Sequence, residues 1–197
     1  MADINKVNFD YIKKWEGKLS KDKKDSASKH CVPDGSGYHT NMGVTWATWK
    51  FHFGEDIKGF YAMPFDKWKQ VYLWYWNLVG AASIPSQAIG EFLADWAWAS
   101  GVNAPRQLQY YLYNLGYYKL VPDGRFGGQT LSALLAALKE KGEGEVYREL
   151  YAHRIQWLKK IPSFKDFGRG WVNRLEDFDK YAKGLIEGGS GSRLGSG

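Results

Sequence analysis

The chain has 197 residues, 44% of them hydrophobic, which suffices for one well-packed globular domain or one domain with an appendage. Its 27 basic and 21 acidic side chains give a net charge of +6, which favours anionic partners: a wall bearing acidic polymers, a membrane surface or nucleic acid. The single cysteine, Cys31, excludes an internal disulfide, the four histidines show no zinc-ligand spacing, and no apolar run is long enough to span a membrane.

From the N-terminus, Met1 to Lys6 has no apolar signal core. Val7 and Tyr11 stand four apart, Ile12 and Trp15 three apart. That spacing predicts a short helix over 7–15 that stops at Glu16-Gly17. Glu16 then sits at a helix C-terminus beside an apolar ring, where ionisation is disfavoured, as a general acid requires. The following run, Lys18, Lys21, Lys23 and Lys24, is interleaved with Asp22 and Asp25 and reads as a solvated loop. No nucleic-acid motif accompanies it.

Asp34 lies in the turn Pro33-Asp34-Gly35-Ser36-Gly37, where water and backbone N–H groups keep a carboxylate charged. Glycosidic cleavage needs one protonated and one ionised carboxyl, and Glu16 and Asp34 fit those parts, with the hydroxyl of Thr40 close by. Cys31 as a nucleophile would have only His30 and His39 near it in sequence as bases.

Thr45 is placed to cap a helix over Trp46 to Phe53 that Gly54 ends. From Asp66, the positions of Trp68, Val71, Tyr72, Tyr75 and Leu78 predict an amphipathic helix. Trp74 and Trp76 lie off its buried stripe, and at least one is expected at a cleft. Ile89, Phe92, Leu93, Trp96 and Ser100 predict a helix apolar on nearly every side that ends at Gly101. Its one carboxylate, Asp95, is either held structurally or functional. Asn103 is expected to cap the next helix, which carries Pro105, Leu108, Tyr111, Leu112 and Leu115 and which Gly116 closes. Asp123-Gly124-Arg125-Phe126-Gly127-Gly128-Gln129-Thr130 then leads into a helix with Leu131, Leu134, Leu135 and Leu138 on one face. In that segment Asp123 and Gly124 suit a tight turn and Phe126 a core anchor, which accounts for it without a ligand; direct contact with glycan or peptide is the alternative. Tyr147 to Leu158 continues in helical period to the break at Pro162, and the spacing of Trp171, Leu175, Phe178, Ala182 and Leu185 predicts a last helix.

Several of these stretches resemble one family. Asp34-Gly35-Ser36-Gly37-Tyr38-His39-Thr40 looks like the D-x-x-G-Y-x-T segment of phage-type lysozymes. Thr40-Asn41-Met42-Gly43-Val44-Thr45 is similar to the T-N-x-G-I-T of the glycoside hydrolase family 108 N-acetylmuramidases. Val71 to Trp76, the D-G-x-x-G-x-x-T run from Asp123 to Thr130, and Gly170-Trp171-Val172-Asn173-Arg174 resemble later motifs of that family, in the same order. The chain departs from it at Glu16-Gly17-Lys18, where the family has E-G-G, in Tyr38, where Gly is frequent, and in the insert from Lys18 to Val32.

The resemblance implies a mainly α fold: a lysozyme-like helical domain with a small β-wing at about 36–44 and a packed helical peptidoglycan-binding subdomain. The boundaries expected are 1–101 for the catalytic part, 102–188 for the binding part and 189–197 for a Gly/Ser-rich tail or tag. It further implies hydrolysis of the β-1,4 bond between N-acetylmuramic acid and N-acetylglucosamine, with Glu16 as general acid, Asp34 acting on water or on positive charge at the sugar, and Thr40 holding that water. Tyr38, Asn41, Trp74, Asp123 and Thr130 are the expected substrate contacts. No cofactor or metal is expected. The expected partner is bacterial peptidoglycan, met by a monomer, without nucleic acid or stable membrane insertion. Synthesis in the bacterial cytoplasm without a signal peptide, and action at the periplasm or cell wall, complete the expectation. The rival reading is a wall-binding module without activity.

Overall fold

The computed structural model describes residues 1–191. Among them are nine α-helices, one two-stranded sheet and short 3-10 turns. The chain forms two compact units, Asn8–Trp74 and, as the other, Met1–Val7 together with the chain from Tyr75 onward. These divisions fall away from the expected boundary at 101/102, and helix α4 (Phe65–Leu78) runs through one of them.

In the Asn8–Trp74 unit, α1 is Phe9–Lys13, shorter than the 7–15 expected. The Asn8 side chain caps it by accepting from Tyr11 N, and tight turns (Trp15 N to Ile12 O, Glu16 N to Lys13 O) carry the chain on to Glu16. Phe9 packs edge-on against Phe65, Trp68 and Tyr72 of α4. The wing is a hairpin of β1 (Thr40–Asn41) and β2 (Val44–Thr45), with Thr40 opposite Thr45 and Asn41 opposite Val44. Its two-residue loop holds Met42 at φ 46° and Gly43 at φ 77°. Both positions require positive φ for the strands to keep their twist. Glycine adopts that conformation readily, whereas methionine does so at about 1–2 kcal/mol. The Met42 carbonyl is held there by the indole N–H of Trp68 at 2.9 Å. Ser20 adds an isolated bridge on the outer side of Thr40.

Helix α2 is Trp46–Phe53, with Thr45 accepting from Thr48 N at its start and Gly54 at its end, as the sequence predicts. Helix α3 (Ile57–Ala62) is not evident from hydrophobic period. Asp56 caps it, accepting from Gly59 N at 2.8 Å, while the Asp56 carbonyl takes the Trp49 indole N–H at 2.9 Å.

The other unit is built on α5 (Gln87–Ser100), whose residues from Ala88 to Trp98 are all buried. Around it lie α6 (Asn103–Asn114), α7 (Gly128–Lys141), α8 (Glu143–Leu158) and α9 (Phe164–Gly191). Asn103 does not cap α6: its amide donates back to the Ser100 carbonyl, and Val102 holds the cap position. Asp95 is structural. Its carboxylate receives Arg154 of α8 at 2.8 Å and Arg174 of α9 at 2.7 Å. Burial pushes this carboxyl upward, but the two guanidiniums outweigh it and hold it below the usual carboxylate range. Arg174 closes the G-W-x-N-R run, so that motif serves the core. Gly189–Gly191 extend α9, and the rest of the expected tail, 192–197, lies outside the described residues. No helix among the described residues is long and apolar enough to cross a membrane.

Glu91, one turn before Asp95 on α5, has no cation beside it among the described residues. It accepts from Gln87 at 2.7 Å and Tyr181 at 2.9 Å, and burial pushes its pKa up to about 7. Between the ordinary value of 4.5 and 7 the folded state therefore holds a proton that the unfolded chain releases, so stability falls as pH rises through that window. The full loss amounts to about 3 kcal/mol. Urea melts of wild type and Glu91→Gln at pH 4.5 and 7.5 check this: the wild type loses stability relative to the variant at the higher pH.

Candidate active site

All three proposed catalytic side chains belong to the Asn8–Trp74 unit. Glu16 follows α1 directly, half-buried, with its backbone N–H on the Lys13 carbonyl. Four residues on, Ser20 is fastened to the hairpin edge: its N–H donates to the Thr40 carbonyl at 2.8 Å and its carbonyl accepts from His39 N at 3.0 Å. Four residues of chain span at most ~14 Å, so this pairing tethers Glu16 to the strand that carries Thr40.

Asp34 stands at the exposed tip of a loop whose neck is closed by a hydrogen bond from Val32 N to the Tyr38 carbonyl at 2.8 Å. Its Oδ1 accepts from Ser36 N at 2.9 Å, and its Oδ2 accepts from the Tyr61 hydroxyl at 2.5 Å. The Ser36 hydroxyl, the Tyr61 hydroxyl and the Ser36 N–H, in that order, hold the carboxyl below its ordinary range. Hydrogen bonds to the charged form keep the acid ionised. The Tyr61 hydroxyl is itself pushed up, by burial and then by its bond to Asp34, so it keeps the proton that it donates.

Thr40 is partnered by His39, which is wholly buried. The ring Nε2 lies 3.1 Å from the Asp22 carbonyl, an acceptor only, so in the neutral ring Nε2 carries the hydrogen and Nδ1 accepts. The Thr40 hydroxyl, 2.9 Å from Nδ1, therefore donates to it and leaves its own lone pairs for an incoming hydrogen.

The other expected contacts divide. Tyr38 is half-buried beside the same loop, its ring edge-on to Tyr61 at 6.2 Å. Trp74 keeps an exposed face, grouped with Phe51 and His52. Trp76 is buried. Asn41 is buried as well, and its amide donates to the Phe60 and Tyr61 carbonyls at 2.8 and 3.1 Å, binding the hairpin to α3. Asp123 and Thr130, in the other unit, are gathered by Gln109. Its amide nitrogen lies 3.0 Å from Asp123 Oδ1, 3.0 Å from the Arg125 carbonyl and 3.1 Å from Thr130 Oγ1, and its oxygen accepts from Gly124 N at 2.8 Å. Gly124 sits at φ 80°, where a Cβ would come within 2.9 Å of the Val102 carbonyl. These contacts describe a knotted turn in which Thr130 is out of reach of solvent.

Tyr61, Ser36 and His39 are the members of the site that sequence reasoning missed. The one available signal was the Ser at the third position of the Asp34 turn, a residue that suits side-chain to backbone bonding. Among the described residues no group of three or more His, Cys, Asp and Glu side chains is gathered at metal-binding range.

Compared with known proteins, residues 9–101 match the family described as glycosyl hydrolase 108, and residues 103–176 match that described as predicted peptidoglycan domain. Among solved structures the chain is similar to that of Brucella abortus SagA, with 26% identity, coverage of 90% of this chain and 92% of that one, and a TM-score of 0.71. No curated protein matches the sequence.

The Gln109 contacts generate a prediction. Gln109→Ala strands the buried partners of this side chain and should lower unfolding stability by about 2–3 kcal/mol, read from thermal or urea melts. If the turn is a scaffold, sedimentation with insoluble peptidoglycan, counted per folded molecule, should stay at the wild-type level.

Proposed function

We propose that this chain acts as its matches to glycosyl hydrolase 108, a family of muramidases, and to a peptidoglycan domain behind the hydrolase region indicate, and that Glu16, Asp34 and Thr40 form its catalytic group. The enzyme is a peptidoglycan hydrolase, and its target is the cell wall.

In the reaction we propose, Glu16 delivers its proton to the glycosidic oxygen as the bond from the N-acetylmuramic acid C1 to that oxygen breaks. A water adds to C1 and gives up a proton, which goes to the ionised Asp34 or, where Asp34 instead stabilises the positive charge building on the sugar, to the carboxylate that Glu16 has become. Thr40 accepts a hydrogen from the same water, because its own hydroxyl proton is turned toward His39. Both bonds exchanged in the hydrolysis are thereby balanced.

The observation that carries this assignment is the difference between the two acids. Asp34 is ringed by donors that keep it charged, while Glu16 is half-buried in the turn that follows α1. In the same reading the protein works as a monomer, and its positive charge serves the anionic wall rather than nucleic acid.

Two substitutions test it. Glu16→Gln should slow the clearing of purified cell walls by on the order of 10²–10⁴ with the circular dichroism spectrum unchanged. Asp34→Asn should do the same, and mass spectrometry of muropeptides released by the wild type should show N-acetylmuramic acid at the new reducing ends. An undiminished rate in either variant removes that residue from the mechanism. Sedimentation with walls but no new reducing ends from the wild type would leave only a binding module.

A further inference from the structure

Helix α3 supplies a residue to the site that no motif marks. Tyr61 lies in its last turn, after which Met63 at φ 41° and Pro64 end the helix. The residue is fixed from three sides. The Asn41 amide holds the Phe60 and Tyr61 carbonyls, Asp56 holds the start of the helix, and the Tyr61 ring meets Tyr38 edge-on. A hydroxyl so placed has little freedom of aim.

The hydrogen bonds around it have one direction. Tyr61 has a single proton, and it goes to Asp34 Oδ2. The Ser36 hydroxyl, 2.9 Å from the Tyr61 oxygen, then has its one proton for that oxygen or for Asp34 itself, and Ser36 Oγ accepts from Tyr38 N at 3.2 Å. Either way the donors Tyr38 N–H, Ser36 O–H and Tyr61 O–H lead to the Asp34 carboxylate. Chained hydrogen bonds polarise one another toward the terminal acceptor. Ser36 N–H meets the second oxygen.

We propose that Tyr61 is a positioning residue of this glycosidase: at the head of a Ser36-to-Tyr61 relay it orients the Asp34 carboxylate and holds it as an anion during sugar cleavage. The inference rests on the assignment of Asp34 to the catalytic group. The lowered pKa of Asp34 and the raised pKa of Tyr61 agree with a relay aimed this way. The other titratable groups facing this network are Tyr38 from the loop and Lys21, whose ammonium lies 5.2 Å from the centre of the Tyr38 ring. Lys21 does not replace the tyrosine as a donor, because it is engaged at the far ring.

Tyr61→Phe keeps the ring and removes the proton that Asp34 receives. The Asp34 carboxyl should titrate at higher pH in Tyr61→Phe than in the parent, followed by carbon NMR of the side-chain carboxyl in a Glu16→Gln background, where turnover does not interfere. The acid limb of the kcat/KM profile of Tyr61→Phe, made with Glu16 intact, should move the same way. The loss should be on the order of tenfold at the acid edge and smaller at the optimum. Ser36→Ala, which removes the other hydroxyl of the relay, should shift both readouts in the same direction. If Tyr61→Phe and Ser36→Ala fold, Asp34→Asn is inactive, and neither the Asp34 titration nor the acid limb moves, then Tyr61 only fills space and the inference is overturned. A fully active Asp34→Asn overturns the assignment of Asp34 itself, a separate failure visible before Tyr61 is touched.

Discussion

The proposed active site is joined by two backbone hydrogen bonds, Ser20 N to the Thr40 carbonyl and His39 N to the Ser20 carbonyl. They fix the early part of the polar segment that runs from Glu16 to Val32, whose far end is held separately by the buried Val32 and its N–H on the Tyr38 carbonyl. With them, the chain leaving α1 becomes a third edge of the wing. His39 gains its backbone partner on the same stroke, since the pairing brings the Asp22 carbonyl to the imidazole. One short pairing thus locates Glu16 and helps fix the hydroxyl of Thr40.

The two acids then acquire different characters from different kinds of local structure. Asp34 occupies a loop tip where its short side chain captures the N–H two residues on, a habit of Asx turns that needs no help from the rest of the fold. What it does not obtain locally comes from Tyr61, 27 residues away in sequence. Glu16 depends on the end of a five-residue helix and on the tether at Ser20. A solvent-exposed acid and a half-buried one thus stand in different surroundings, the kind of separation that the proposed pair of carboxyls needs.

Much of this was legible in the chain, for reasons that can be stated. Thr45 and Gly54 bracket α2 because caps act on neighbouring backbone and leave a local trace. The apolar run from Ala88 to Trp98 announced a buried helix, and the Asp34 turn was visible from its glycines. The six-residue α3 was not legible: its burial falls on Phe60 alone, so no period marks it, and Tyr61 stayed hidden with it. The Ser20 pairing could not be read either, since a single bridge in a charged loop has no pattern. Asn41 and Thr130 misled because motif residues with polar side chains suggest ligands, whereas here both are closed over by their own fold. Trp76 misled for the opposite reason, because a helix covered on more than one face buries residues outside its main stripe.

The carboxylate of Asp95 has a bearing on how the molecule comes into being. Its two guanidinium partners are drawn from α8 and α9, 59 and 79 residues further along the chain. As the polypeptide emerges from the ribosome, α5 is complete long before Arg174 appears, and until then its buried Asp95 has at best half of its guanidinium partners. The apolar helix that organises this unit must wait, shielded or loosely packed, until α9 has followed it out, so that assembly around α5 is set by elements made well after it.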